Sequence, residues 1–275
     1  MIVGLTGSSG ILGKQLVLVH KNIKFNCFKG DIRNFNQVDK WIKDNNFDLL
    51  IHLAAIVPIK KVNLNMKKAY DVNYLGTKNL VDSIKLRKKN KIWFFLASTS
   101  HVYGKSKKTL KETSKINPIN YYALTKLKAE KYVIKNNKYI NYCIGRIFSY
   151  TSHHQKIDYF IPNMISKLKN KKKTLSIYGV NHYRDFLPIK DVTKAIMILA
   201  KSKSKGIFNI CSSQKILLSD IVNLLNFKKK KLIFLNDYPT SFIIGSNRKL
   251  KKLNWKPSYK NYLDYLKKYE KDYCF

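Results

Sequence analysis

Ile2-Val3-Gly4-Leu5-Thr6-Gly7-Ser8-Ser9-Gly10-Ile11-Leu12-Gly13 sets an apolar run against a glycine-rich turn, and a helical pattern follows at once. Ile2 to Thr6 is predicted as a buried strand, and Leu12, Leu16, Val17 and Val19 recur at helical spacing beyond the turn. Gly7 permits the tight turn, Gly10 lets the backbone approach a pyrophosphate, and Gly13 allows helix and strand to pack closely. The free N–H groups and the dipole of the helix N-terminus suit such an anion. Glycines also make ordinary turns, but between a first strand and a first helix the pattern is specific. Gly7, Ser9, Gly10, Ile11, Leu12 and Gly13 are therefore the candidates for holding a nucleotide.

Working outward, short apolar runs at Ile23 to Phe28, Asp48 to Leu53, Ile92 to Ala97 and Tyr142 to Ile147 alternate with helical patterns. The helices are predicted through Val38, Trp41 and Ile42, from Ala69 to Ile84, and from Tyr122 to Val133. Continuous apolar strands between helices indicate a parallel sheet covered on both faces, hence a doubly wound α/β fold with ligands beyond the carboxyl ends of the strands. After Ser149 the pattern loosens into a strand at Thr174 to Tyr178, a helix at Val192 to Ala200 and a strand at Gly206 to Cys211. Residues 1–149 are expected to form the nucleotide-binding domain, to which the chain returns at about 185–212. Residues 150–275 are expected to form mainly a smaller C-terminal substrate lobe.

Hydrophobic residues at 45% and aromatics at 13% fit a globular chain and exclude a disordered one. No apolar run reaches the roughly 20 residues that span a bilayer, and the start, Met1 to Leu5, lacks the basic region of a signal peptide. Cys27, Cys143, Cys211 and Cys274 follow neither a disulfide framework nor a zinc spacing. Together these features are read as cytoplasmic. The charge is the odd feature, with 54 Lys+Arg against 16 Asp+Glu and a formal +38. Such a field suits nucleic acid, an anionic membrane surface or a diphosphate-bearing substrate. The lysines, however, come in short runs spread along the sequence, as at Lys88-Lys89, Lys171 to Lys173 and Lys228 to Lys231, with no nucleic-acid-reading motif. They are read as a solvated surface, and nucleic acid is not the expected partner.

Tyr122-Ala123-Leu124-Thr125-Lys126 adds a second motif, and with the Gly-x-x-Gly-x-x-Gly turn it resembles the short-chain dehydrogenase/reductase superfamily. The match is narrower at Gly30-Asp31-Ile32-Arg33, His52-Leu53-Ala54-Ala55, Val72 to Thr77, Ser98 to Gly104, Arg184-Asp185-Phe186 before Asp191-Val192, and Asn254 to Pro257. There the chain resembles the extended branch of nucleotide-sugar epimerases, dehydratases and 4-keto reductases. The resemblance implies a Rossmann-type domain with NAD or NADP as cofactor, a nucleotide-diphosphate sugar as substrate, and a homodimer. It also implies that Asp31 and Ile32 contact adenine, that Leu53, Ala54 and Ala55 line the cofactor pocket, and that Asn73 supports the active-site helix at its cofactor end. Where the family has two strands before the Gly-Asp segment, only Ile23 to Phe28 stands here. Either Asp31 then grips the ribose 2′-OH, favouring NAD, or Lys29 meets a 2′-phosphate, favouring NADP.

Hydride transfer at a sugar carbonyl needs a proton partner on its oxygen. A free tyrosine is a poor base at neutral pH, with a pKa of about 10, but an ammonium one helical turn away favours the phenolate. Tyr122 and Lys126 have that spacing, which neighbouring Tyr121 lacks. Both also belong to the expected cofactor site. The resemblance makes Thr99 the hydroxyl that bonds the substrate oxygen, and Arg184 the clamp on the substrate diphosphate. Ser149 stands where relatives often place a nucleotide-contacting Asn. Ser100 and His101 occupy the places where dehydratases carry an Asp-Glu pair, which argues against dehydration. His101 is either an acid/base in the pocket, an imidazole titrating at about pH 6.5 being suited to that, or a pocket-lining residue. His153-His154 lacks a third ligand nearby and is read as a loop, so no metal site is expected. His20, His52 and His182 are read as structural or surface residues.

Three functions follow. The first is NAD(P)H-dependent reduction of a 4-keto deoxysugar nucleotide, favoured by the contracted second-strand region. The second is 4-epimerisation with retained NAD. The third is an inactive relative binding RNA through its basic surface, which the presence of Thr99, Tyr122 and Lys126 opposes.

Overall fold

The computed structural model describes residues 2–88, 90–104, 106–235 and 239–271; Met1, Lys89 and Cys274 lie outside these residues. The chain runs β1 (Ile2–Thr6), α1 (Ile11–Val19), β2 (Lys24–Cys27), α2 (Phe35–Asp44), β3 (Leu49–His52), α3 (Ile59–Leu64) and α4 (Met66–Tyr70). A π-helical turn (Asp71–Leu75) leads into α5 (Gly76–Arg87), then β4 (Ile92–Thr99), α6 (Tyr121–Lys135) and β5 (Ile140–Ile147). There follow β6 (Ser149–Thr151), α7 (Phe160–Lys169), β7 (Thr174–Tyr178), β8 (Tyr183–Arg184), β9 (Phe186–Pro188), α8 (Ile189–Lys201) and β10 (Gly206–Ile210). The remainder is β11 (Ile216–Leu217), α9 (Leu218–Leu224), β12 (Lys231–Leu235), β13 (Phe242–Ile243), α10 (Arg248–Lys251) and α11 (Tyr262–Lys271).

Six strands form one parallel sheet in the order β10-β5-β4-β3-β1-β2. Its strands are buried on both faces, which is why they read as unbroken apolar runs. On one face Val3, Leu5, Ile51 and Phe95 pack against α1 and α8 through Leu16, Val192, Ile196 and Leu199. On the other, Leu50, Phe94 and Ile144 meet α2, α5 and α6 through Val38, Leu80, Val81 and Val133. The strand order reverses between β1 and β3, so their carboxyl ends open a crevice there. This is the doubly wound α/β architecture expected of the sequence.

Two details differ from the sequence reading. The helix expected over Ala69 to Ile84 is broken by the π-helical turn at Asp71–Leu75, which leaves an apolar periodicity nearly unchanged and so is invisible to it. Strand β4 runs on to Thr99, because Ser98 and Thr99 still pair with Arg146 and Ile147 of β5.

A separate cluster around Ile161, Ile165, Ile177, Phe186, Ile221 and Leu266 gathers α7, α9, α11 and the short strands. Strands β7 and β12 pair in parallel, with Lys231 opposite Thr174. The Lys230 ammonium donates to the carbonyl oxygens of Asn170 (2.6 Å) and Lys172, and the Lys231 N–H donates to the Lys173 oxygen (3.0 Å). The runs Lys171 to Lys173 and Lys228 to Lys231, far apart in sequence, thus lie side by side. Asn254 to Pro257 proves to be a latch: buried Trp255 donates its indole N–H to the Asp191 carbonyl at 3.2 Å, anchoring the segment to α8.

Candidate active site

A cleft of about 800 Å³ opens at the carboxyl ends of β1, β3, β4 and β5. At one end stand Gly7, Ser9, Gly10, Ile11, Leu12 and Gly13. Gly7 has φ +75°, and a Cβ there would lie 2.5 Å from the Ala54 nitrogen. A Cβ on Gly13 would lie 2.2 Å from the Gly7 oxygen, so both positions need glycine for the chain's own packing. Gly10 differs: its Cβ would approach only the Gly7 oxygen, at 3.3 Å, and would otherwise enter the cleft. Gly10 caps α1 without a side-chain hydrogen bond, and the first turn carries no acidic residue. The cradle therefore has the donors and the space that a pyrophosphate requires.

Leu53 and Ala55 line the cleft, whereas Ala54, Asp31, Ile32, Asn73 and Lys126 are not among its lining residues. The Ala54 N–H instead meets the Thr6 hydroxyl at 3.4 Å. That hydroxyl donates to His52 Nδ1 (2.6 Å), His52 Nε2–H donates to the Thr77 hydroxyl (2.9 Å), and Thr77 donates to the Asn73 carbonyl (3.0 Å). Burial holds His52 well below its ordinary pKa, so the ring is neutral and this relay assigns its tautomer. Asn73, buried in the π-helical turn, accepts from the Ile56 N–H (2.8 Å) and donates to the Ile56 oxygen (3.1 Å) and the Thr125 hydroxyl (3.1 Å). It ties the loop after β3 to α6. Ile32 packs in the core below α5, and Asp31 is exposed in an ion pair with Arg33 at 2.6 Å.

At the chemical end, Thr99, His101 and Tyr122 all face the cleft; Tyr122 also packs with Val62 and Ala69, and Tyr121, which does not line the cleft, packs against that cluster. The Thr99 hydroxyl accepts from the His101 N–H at 3.2 Å and hydrogen-bonds the Tyr122 phenol. Burial pushes that phenol up, the neighbouring Tyr159 adds to this, and the bond from Thr99 opposes it. The phenol therefore rests protonated here, with Thr99 the group that opposes the effect of burial. Lys126, one helical turn along α6, is 1% exposed, and desolvation pulls its ammonium down to about 8, which leaves it charged at neutral pH. At His101, burial first, and then the Arg184 guanidinium, lower the imidazole to about 4, so the ring rests neutral.

Two residues passed over in the sequence organise this end. Asn120 caps α6 by accepting from the Ala123 N–H (2.8 Å), and its amide meets His101 Nδ1 at 3.3 Å. Glu130, one turn beyond Lys126, is buried against Arg146 (2.7 Å) and the Ser98 hydroxyl. Arg146 also donates to the Glu112 carbonyl (3.2 Å) and lies over the Tyr103 ring. Such a buried pair needs further hydrogen bonds to offset its desolvation, and the Glu112 carbonyl and the Ser98 hydroxyl supply them here. An Asn before Tyr-Tyr is a visible capping signal; Glu130 resembles any polar helical residue.

At the far end Arg184 and Ser149 line the cleft. One Arg184 nitrogen, Nη1, is held by the carbonyls of Tyr183 (2.8 Å) and Ser241 (3.2 Å) and by the Ser241 hydroxyl (3.1 Å). Among the described residues no carboxylate pairs with Arg184, and the only one on the cleft wall is Asp158, 3.9 Å from Lys61. Asp185 turns inward and accepts from Ser212, Ser213 and Gly245. His154 lines the cleft, and among the described residues no group of three His, Cys, Asp or Glu side chains could hold a metal.

The sequence model of the NAD dependent epimerase/dehydratase family matches residues 3–211. The chain belongs to that family. Among curated relatives of this epimerase/dehydratase-family protein, the GDP-6-deoxy-D-talose 4-dehydrogenase of Aggregatibacter actinomycetemcomitans is 29% identical over 221 residues, 77% of this chain and 74% of that protein. The dTDP-4-dehydro-6-deoxyglucose reductase of Escherichia coli is 25% identical over 291 residues, covering 92% of each chain. Among solved structures, RMD from Pseudomonas aeruginosa, complexed with NADPH, superimposes with a TM-score of 0.86 at 22% identity, covering 99% of this chain and 98% of that one. The Thermus thermophilus UDP-glucose 4-epimerase complex with NAD gives 0.82 at 19% identity and 95% of each chain. These likenesses bear out the Rossmann fold. No helix among the described residues is long and apolar enough to cross a membrane.

Proposed function

We propose that this protein reduces the 4-keto group of a nucleotide-diphosphate deoxysugar with NAD(P)H. The observation that carries the reading is the composition of the cleft wall. It offers a phenol bonded to a threonine hydroxyl, Tyr122 and Thr99, and its sole carboxylate among the described residues, Asp158, lies beside Lys61. Stripping a carbon-bound proton for dehydration wants a free carboxylate there, whereas carbonyl reduction wants only a proton donor at oxygen. A bound nicotinamide dinucleotide would supply the hydride. Gly7, Gly10 and the N-terminus of α1 would hold its pyrophosphate, Thr99 would hydrogen-bond the sugar oxygen, and Tyr122 would pass it a proton. The free edge of the Arg184 guanidinium would take the substrate diphosphate. The relatives acting on 4-keto and 4-hydroxy deoxysugar nucleotides support this reading.

The test is consumption of reduced cofactor by the purified protein on addition of a 4-keto-6-deoxy nucleotide sugar. Turnover without bound cofactor at isolation supports reduction. Tightly retained NAD, with interconversion of 4-epimers and no net cofactor consumption, would replace it with epimerisation.

A further inference from the structure

The sequence spreads its lysines in short runs, and the fold gathers two of them. Lys171 to Lys173 and Lys228 to Lys231 stand at the paired starts of β7 and β12, and α7 ends beside them with Lys167 and Lys169. All of these lysines except Lys230 are exposed. Lys230 braces the two turns. Besides the carbonyls of Asn170 and Lys172, its ammonium reaches Asn170 Oδ1 at 3.1 Å. Asn226 closes the second turn, its amide donating to the Lys230 carbonyl at 2.9 Å and its side-chain oxygen accepting from the Lys230 N–H at 3.0 Å. The other ammonium groups are thus presented by a fixed platform rather than by loose tails.

Strand alternation supplies an apolar component. Leu175, Ile177, Leu232 and Phe234 turn inward to the cluster around Ile165 and Ile221, whereas Thr174, Ser176, Lys231 and Ile233 are exposed. Thr174 pairs with Lys231 and Ser176 with Ile233, so these four share one outer face. Ile233 is 40% exposed, and Phe227, just before Lys228, is 42% exposed. From Phe160 to Tyr178 and from Ile221 to Leu235 the sequence holds no aspartate, glutamate or arginine.

That composition points to one kind of partner. Lysine carries a compact charge on a flexible apolar stem, which suits a diffuse layer of anionic headgroups. Binding to nucleic acid favours the arginine fork and rows of stacked aromatic rings, and this face has neither. Phe227 and Ile233 can enter the boundary between headgroups and acyl chains while the lysine heads stay at the phosphates. We propose that the β7–β12 end of this protein docks reversibly on an anionic phospholipid surface.

The test is co-sedimentation of the purified full-length protein with vesicles of phosphatidylcholine alone and of phosphatidylcholine and phosphatidylglycerol in equal parts. Binding is expected to the second only, and it should weaken as sodium chloride is raised. The whole chain carries a formal +38, so charge-matched variants locate the contact. Lys171→Glu, Lys172→Glu and Lys173→Glu combined should weaken binding at least about tenfold. Lys228→Glu with Lys229→Glu, in the facing turn, should act in the same direction. Lys201→Glu, Lys203→Glu and Lys205→Glu combined, after α8, should change it little. Phe227→Ser should weaken binding without changing its salt dependence, because it removes an apolar contact and no charge. Circular dichroism checks that each variant is folded. Absence of binding to the anionic vesicles, equal losses in the two triple variants, or an unmoved Phe227→Ser overturns the proposal. Displacement of the protein from the vesicles by a single-stranded RNA oligonucleotide at lower concentration than the lipid also overturns it, in favour of nucleic acid.

Discussion

Tyr122 is held where a phenol resists ionisation, so in the proposed reduction it would enter the reaction protonated. Tyr122→Phe is expected to cost roughly 10²–10⁴-fold in kcat with little change in substrate KM, and Tyr121→Phe, at a residue that does not line the cleft, far less. Steady-state kinetics of the two variants checks this, and the reverse ranking would refute the motif register. Lys126, and not His101, is expected to shape the pH dependence near neutrality. Burial lowers the Lys126 ammonium to about 8, so its charge is complete below that pH and is lost as pH rises through it. The rate of reduction should therefore fall on the alkaline side near pH 8, and Lys126→Arg should move that limb upward. His101, lowered to about 4, stays neutral throughout the range in which Tyr122 works. A kcat profile between about pH 5.5 and 7.5 should be flat and unaltered by His101→Gln; a limb near the ordinary histidine value of about 6.5 would restore it as an acid/base.

Among the elements, the strands and the first turn were legible because their causes are local. Fully buried parallel strands appear as apolar runs, and Gly7 and Gly13 are required by contacts that a turn between strand and helix imposes. What stayed hidden is polar and long-range. His52 is joined to Thr6 and Thr77, Asn73 to Thr125, and Glu130 to Ser98, partners that no spacing along one helix or strand brings together. The spacing of Lys126 from Tyr122 is silent about depth, and it is depth that lowers the Lys126 ammonium to about 8. The π-helical turn escaped for a related reason, since its function lies in Asn73 rather than in an apolar stripe. Asn73→Ala removes the partners of both backbone groups of Ile56 and should destabilise the fold by about 1–3 kcal/mol. It should also weaken dinucleotide binding, because the loop after β3 loses its tie to α6. Denaturant midpoints and titration of the cofactor measure the two effects, and unchanged values for both would mean that the loop after β3 holds its place without the Asn73 side chain.

For the whole molecule, the cleft is lined by Gly10 at the start of α1 and Tyr122 of α6, both on elements that flank the sheet, and by Arg184 of β8 from the chain beyond Ser149. The two ligands should therefore be separable. Gly10→Val fills the cofactor end and should abolish dinucleotide binding with the fold intact by circular dichroism. Arg184→Ala should raise the Kd for a nucleotide-diphosphate sugar and spare the dinucleotide. Equal loss of both ligands in Arg184→Ala would put that residue in the fold's framework instead.

The meeting of Lys171 to Lys173 with Lys228 to Lys231 has a consequence of another kind. Both runs are exposed apart from Lys230, and α7 ends beside them with Lys167 and Lys169. Like charges concentrated at one end of the molecule repel over the distance that the solvent allows, about 30 Å at 0.01 M ionic strength and about 8 Å at 0.15 M. The β7–β12 end of the protein therefore holds together against its own field, and counter-ions are part of what keeps it closed. Added sodium chloride should raise the thermal midpoint over this range, and Lys228→Glu should reproduce part of that gain at low salt while flattening the response. A midpoint indifferent to salt would mean that the two runs are dispersed enough in solution for water alone to screen them.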